Sequence, residues 1–294
     1  MSNIHIQLHS FRQQVTFNDI NHSYITNKNG IKNTSVTTLI KKFEEEFDTE
    51  YWTVYKVLEF KGNKVRKADQ RRIHVNGRLY TLNQLYTLEP NIRIDAIRLA
   101  SEWDYLAIRG CTRGSIIHNY LEQKWQGKIF PDIEWNHLIK SSEHKDFTNE
   151  LIVLKQYADR FIAERPYLVP ISLEQIVGDE ELQIYGQIDA IFYNTLEGTY
   201  HIYDYKNDKD IEKENKFQNF SDPISDLQQC GYNKYCLQLS LYQYFLEKHT
   251  DIKIHSSYVV WVNPINSSYH LEQTIYYEQH IRRILQAHKA SMGV

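Results

Sequence analysis

The sequence predicts an α/β fold, with a central mixed β-sheet flanked by helices and an N-terminal accessory segment. Three observations carry this expectation. Helix-period and strand-period stretches alternate along the second half of the chain, in the order helix, strands, helix, strand, helix. The longest apolar runs, such as "SYVVWV" at 257–262, have strand length, and none approaches the roughly 18 residues of a membrane span. Hydrophobic residues make up 41% of the 294 residues, enough for a sizeable core, while six prolines and the lack of any Gly/Ser-rich or Pro-rich run leave no obvious linker. The expectation is one domain over 1–294, with an N-terminal hairpin and helices at 1–60, a basic insertion at 61–97 and the core at 98–294.

Taken in order, residues 1–30 alternate weakly and contain the turn signal "NKNG", which reads as a small β-hairpin region. "NTSVTTLIKKFEEEFD" opens with hydroxyl caps and continues as a helix, and "EYWTVYKVLEFKG" reads as a second one. In "KGNKVRKADQRRIHVNGRLY" seven basic residues from Lys61 to Arg78 face one acid, Asp69, and Asn76–Gly77 marks a turn. "RIDAIRLASEWDYLAIRG" and "TRGSIIHNYLEQKWQG" read as two helices, the latter repeating Ile117, Leu121 and Trp125 every four residues. A further helix around "FTNELIVLKQYADRFIAER" ends at Pro166 and Pro170. Strand period follows from Tyr167 to Tyr205, then the long helix "SDLQQCGYNKYCLQLSLYQYFLEKH", the strand "KIHSSYVVWVNP" and the last helix "YYEQHIRRILQAHKA".

The polar opening "MSNIHIQLHSF" lacks a secretory apolar region. Three cysteines, Cys111, Cys230 and Cys236, are an odd count at irregular spacing, which argues against a disulfide framework and for a reducing cytoplasm. A net charge of −3 excludes a general polycation but not a local basic groove.

The chemistry concentrates in "YGQIDAIFYNTLEGTYHIYDYKND", at 185–208. It reads as two strands around a tight turn, yet Asp189, Asp204 and Lys206 interrupt its apolar pattern. Buried charge is costly unless it is paired or binds a metal. Side chains alternate along a strand, so Asp204 and Lys206 share a face. If Tyr193 pairs with Tyr200, Asp189 lies opposite Asp204, and two carboxylates that close call for a cation between them. Lys206 could then orient a water or offset charge on a phosphate. A lone D-x-K triplet is equally a solvated salt bridge; the upstream "GQID" at hairpin spacing singles this one out.

"GQID" followed by "DYK" resembles the G-x-x-D…(D/E)-x-K core of the PD-(D/E)XK nuclease superfamily, which implies a restriction-endonuclease-like core. The helix "RGSIIHNYLE" is similar to the G-x-x-x-H helix of RecB-type nucleases, which implies His118 as a metal ligand; Glu122, one turn on, stands beside the site or pairs at the surface. "LQLSLYQYFLE" resembles their Q-x-x-x-Y motif, implying substrate contacts from Gln238 and Tyr242, which share a helix face. "NTSVTTLIKKF" resembles the S-V-T-x-x-L segment of mitochondrial genome maintenance exonucleases and related phage nucleases, implying a phosphate contact by Ser35, equally readable as a helix cap. Glu174 fits the glutamate this family often carries on the preceding strand. Iron–sulfur members need four cluster thiolates, and this chain has three cysteines with none after Cys236. No cluster is therefore expected.

The resemblance implies metal-dependent phosphodiester hydrolysis. Asp189, Asp204, His118 and the Tyr205 carbonyl would bind magnesium, with manganese also admissible given the histidine. Asp189, Asp204 and Lys206 would form the catalytic set. The basic segment, with Arg71 and Arg72, would guide DNA, single-stranded by preference and cut from an end, in the cytoplasm of a cell or of a phage host, with no membrane involved. Two other readings stand beside it: a non-catalytic nucleic-acid-binding or virion-associated protein on a nuclease fold, and a small-molecule metal hydrolase. Retention of both carboxylates and the lysine favours the enzyme.

Overall fold

The computed structural model describes residues 2–18, 23–127, 148–207, 210–216 and 218–293. The chain opens with helix α1 (Ser2–Gln14), strands β1 (Val15–Asn18), β2 (Ser23–Thr26) and β3 (Lys32–Ser35), and the short helix α2 (Val36–Lys41). Next come α3 (Thr49–Phe60), β4 (Val65–Ala68), β5 (Arg72–Val75), β6 (Arg78–Thr81), α4 (Leu82–Leu88) and α5 (Asn91–Trp125). The remainder holds α6 (Thr148–Ala163), β7 (Leu168–Asp179), β8 (Ile184–Asn194), β9 (Thr199–Lys206), α7 (Gly231–His249), β10 (Ile254–Trp261), β11 (His270–Gln273) and α8 (Glu278–Ser291).

These elements form two units, one of Met1–Glu45 with Arg113–Val294 and one of Glu46–Thr112. In the larger unit, eight strands among the described residues make one sheet in the order β1-β2-β3-β8-β9-β10-β11, with β7 paired along β8. The sheet is mixed, as expected: β3–β8 and β9–β10 run parallel, while β7–β8, β8–β9 and β10–β11 are antiparallel. Alternate side chains feed two cores. One gathers Leu8 and Phe11 of α1, Val36 and Leu39 of α2, Leu237 and Phe245 of α7, and Ile281 and Ile284 of α8 around Ile188, Ile191 and Ile202. The other gathers Ile117 and Tyr120 of α5 and Leu154 and Phe161 of α6 around Ala190, Phe192, Tyr203 and Tyr205. The smaller unit packs Val54 and Leu58 of α3 and Leu85 of α4 against Ile73 and Val75 of β5. Its Asn76–Gly77 turn takes positive φ at both residues, 51° and 85°, as a tight hairpin of that sequence requires. The basic insertion expected at 61–97 lies within this unit.

Three local expectations need correction. Residues 2–14 are helical rather than part of a hairpin: Leu8 and Phe11 recur at helical spacing and are buried. The helices read on either side of "RGCTRG" are one helix, α5. A glycine inside a helix costs only about 1 kcal/mol relative to alanine, and no proline intervenes, so Gly110 and Gly114 are carried through. The helix read from Ser225 starts at Gly231, with Cys230 as its N-cap residue in extended conformation.

Candidate active site

The β8–β9 hairpin sets the site. Tyr193 pairs with Tyr200 and the ladder continues to Ala190 and Tyr203. By that count the next facing residues are Asp189 and Asp204, where the regular ladder stops. Ile188 and Ala190, two residues apart, pack into opposite cores. The pleat of β8 therefore resets at Asp189. In place of a ladder bond, the Tyr205 N–H donates to Asp189 Oδ2 at 2.7 Å. Asp204 and Lys206 do share a face: Lys206 Nζ lies 2.5 Å from Asp204 Oδ2, and Asp204 is 2% exposed. Burial drives the Asp204 carboxyl up to about 6, with Lys206 pulling it down and Asp189 pushing it further up.

His118 enters from α5. A carbonyl oxygen can only accept, so His118 Nε2 carries the proton it donates to the Tyr205 carbonyl at 2.7 Å. In the neutral ring, Nδ1 then presents a lone pair to Asp189 Oδ2, 3.5 Å away. Glu174 of β7 completes the group: one ligand atom from each of His118, Glu174 and Asp189 lies within 4.8 Å of the others. Burial, then the charges of Asp189, Glu122 and Asp204, push the Glu174 carboxyl up to about 9, opposed by Arg12. Glu174 sits in the left-handed region, φ 48°, in the middle of a strand. That conformation costs a non-glycine residue on the order of 1–2 kcal/mol. The register passes from Leu173↔Ala190 to Gln175↔Ile188, omitting Glu174 and Asp189 on both sides. The pleats of the two strands are thus interrupted at the same level, where the carboxylates meet.

The donor set fits a hard divalent ion. It offers carboxylate oxygens and one imidazole nitrogen within reach of one another, and burial, reinforced by the charge of Asp189, raises the Glu174 and Asp204 carboxyl groups. A cation between His118 Nδ1 and Asp189 would take a lone pair from each. The Tyr205 carbonyl accepts from His118 and keeps a second lone pair.

Helix α7 lies alongside. Gln238 Nε2 donates to the Tyr242 hydroxyl at 3.0 Å. Tyr242 is 4% exposed, and burial, with Asp204 and Asp189 nearby, holds its phenol protonated well above the ordinary range. A Cβ on Gly186 would overlap the Tyr242 ring and press on Val36. The glycine of "GQID" is thus what lets the tyrosine of "QLSLY" approach the sheet. Likewise a Cβ on Gly114 would come 2.5 Å from Asn207 Nδ2, so the glycine before His118 makes room for the residue after Lys206.

The remaining expected residues are Ser35, Arg71 and Arg72. Ser35 caps α2, accepting from the Thr38 N–H at 3.0 Å, and its strand pairs with β8 at Tyr185. Arg71 and Arg72 belong to the smaller unit; Arg71 is bound by Asp48 at 2.5 Å and Glu50 at 2.7 Å. Two neighbours of the site were not expected from the sequence. Lys206 Nζ lies 5.4 Å from the centre of the Tyr235 ring, and Tyr235 precedes Gln238 and Tyr242 at i, i+3, i+7 spacing, a signal that the helix pattern carries. Arg113 pairs with Glu150 at 2.6 Å and donates to the Asn207 carbonyl at 3.3 Å, anchoring the end of β9.

No helix among the described residues is long and apolar enough to cross a membrane. No curated protein matches the chain. A family model of the PD-(D/E)XK nuclease superfamily matches residues 97–291, a span that includes His118, Glu174, Asp189, Asp204, Lys206, Gln238 and Tyr242. With two thirds of its length matched and its motif residues gathered around one hairpin, the chain belongs to the PD-(D/E)XK nuclease superfamily.

Proposed function

We propose that this protein is a magnesium-dependent exodeoxyribonuclease acting on single-stranded DNA ends, in the cluster-free RecB-type branch. The observation that supports this most is the convergence of His118, Glu174 and Asp189 beside the buried Asp204–Lys206 pair. Asp189, Asp204, His118 and the Tyr205 carbonyl would hold the ion, manganese substituting for magnesium, and Glu174 would complete the set. When bound, the ion polarises the scissile phosphate and lowers the pKa of a coordinated water.

The protein's own groups do the rest. Asp204 holds the Lys206 ammonium at the edge of the site, and the Tyr235 face limits where it can swing. Lys206 there directs the attacking water and offsets the negative charge that grows on the phosphate. Gln238, bonded to the largely buried Tyr242 hydroxyl, would turn its amide toward the scissile strand, with Tyr242 fixing its position from beneath. Ser35 would meet a phosphate beside the same β8 end, and Glu122 adds negative charge near Glu174. In the smaller unit, Arg66, Arg72 and His74 share the sheet face opposite the buried Ile73 and Val75, since Arg66 pairs with His74 and Arg72 is two residues from it. That face would carry the DNA backbone, with Arg72 contributing more than the already paired Arg71.

The test is cleavage of linear and circular single-stranded DNA by the wild type and by Lys206→Ala and Asp204→Ala with magnesium. The expected outcome is degradation of the linear substrate only, reduced by at least about 100-fold in each variant. Full activity in either variant would remove it from the catalytic set; cutting of the circle would replace the exonuclease reading with an endonuclease.

A further inference from the structure

Among the groups that surround Glu174, one lies far outside the span matched by the family. Arg12, on α1, donates from Nη2 to the Glu174 carbonyl at 2.7 Å and to the Leu173 carbonyl at 3.3 Å. Gln187 Nε2 reaches the same Glu174 carbonyl at 3.4 Å. These carbonyls lie where β7 leaves its regular ladder and Glu174 takes φ 48°. An extended strand would offer its carbonyls to neighbouring strands; a left-handed residue turns its peptide away and leaves the oxygen in need of another donor. One guanidinium, with its fixed fork of N–H groups, supplies both.

Helix α1 is itself held in place against this strand. Leu8 and Phe11 are buried in the core that β7 shares, and Gln175 Nε2, from the residue after Glu174, donates to the Leu8 carbonyl at 3.0 Å. Leu8 and Arg12 are one helical turn apart, so they present to β7 together. α1 therefore grips β7 on either side of the strained residue.

The geometry points to Arg12 as a positioning residue for the metal group: it clamps the left-handed turn that directs the Glu174 carboxylate toward His118 and Asp189. The role rests on the metal-dependent reading of this site. It makes the N-terminal helix part of the working nuclease. Without the clamp, residue 174 relaxes toward the extended conformation that a glutamate prefers, and its carboxylate leaves the group.

The experiment uses the full chain. Magnesium binding is followed by calorimetry on Arg12→Ala, Arg12→Lys and the wild type, beside thermal unfolding and the magnesium dependence of cleavage. Losing a group that orients a metal ligand costs about 10–100-fold in affinity. Arg12→Ala should raise the half-saturating magnesium at least about tenfold, with the maximal rate partly restored at high metal and the melting temperature little changed, because Arg12 is exposed. Arg12→Lys, with one point-like donor, should fall between the two. If Arg12→Ala does not fold, Arg12→Lys carries the test alone, with a weakened magnesium affinity expected. Wild-type magnesium affinity in a folded variant would overturn the clamp while leaving the nuclease reading intact. A wild-type protein that neither binds magnesium nor cuts DNA would overturn the nuclease reading and the clamp with it.

Discussion

A methyl group at residue 186 would overlap the Tyr242 ring and crowd Val36, both packed tightly against the sheet. Gly186→Ala should therefore lower stability by about 1–3 kcal/mol, the usual cost of overfilling a packed core. It should also reduce cleavage by displacing Tyr242, as read by urea unfolding and by the rate on linear DNA. Unchanged stability would mean that the ring has room to move. The purpose of this glycine was legible only as a motif letter. Its cause, an aromatic ring 56 residues later in the sequence, depends on α7 folding back onto β8. Glu174 differs again. Resemblance alone picked it out of "LEQIVGDEEL", a stretch with several acids; the left-handed backbone and the interrupted ladder set it apart physically.

At the level of elements, β7 and α7 are tied by a buried carboxylate. Asp179 is 2% exposed and accepts from Lys248 at 2.5 Å, His249 at 3.1 Å and the Leu182 N–H at 3.0 Å. Burial alone would raise its carboxyl; the hydrogen bonds from His249 and Lys248 overcome that and hold it well below the ordinary carboxylate range. A depressed acid contributes stability that is fully present above its unfolded value, near 4, and is lost progressively as pH falls from there through the depressed folded value. Stability should thus fall steeply below about pH 5. Asp179→Asn should cost on the order of 1–3 kcal/mol at pH 7 and flatten the acid limb, as measured by denaturant melts across pH. An acid limb identical to that of the wild type would show that other carboxylates carry it. The helices and strands themselves were mostly legible, because apolar spacing sets them. The errors came where tertiary burial chose between periods, at α1, and where glycine was read as a stop, in α5.

Across the whole molecule, charge separates into paired and displayed groups. Lys61 is neutralised by Glu89 and Asp95, and Arg71 by Asp48 and Glu50. No ion pair among the described residues engages Arg66 or Arg72. Removing one cation that neutralises a phosphate should reduce the slope of log affinity against log salt by about 0.7 for a single strand. Replacing Arg66 and Arg72 together should therefore flatten that slope by about 1.4, while Arg71→Ala should leave it unchanged and loosen its own unit. Equal effects from all three would show that the exposed face is not what meets DNA. In the sequence, seven basic residues against one acid read either as a guide for nucleic acid or as a solvated basic loop, with nothing to separate one cation from another. The partners of Lys61 and Arg71 come from the start of α3, the end of α4 and the first turns of α5, whose proximity no linear reading shows.

The sequence by itself determined the hairpin, the placing of Asp204 with Lys206 on one face, and the helices bearing His118, Gln238 and Tyr242, while the register of the hairpin was conditional until the strand pairing set Tyr193 against Tyr200. Those features follow from side-chain periodicity, a local property of the chain. Only the tertiary structure decided that Asp189 joins Glu174 and His118, that the strand pleats reset where they meet, and that Arg12 holds the strained turn. Each depends on residues far apart in sequence meeting at one point, and on backbone strain that persists because the surrounding packing over-determines it.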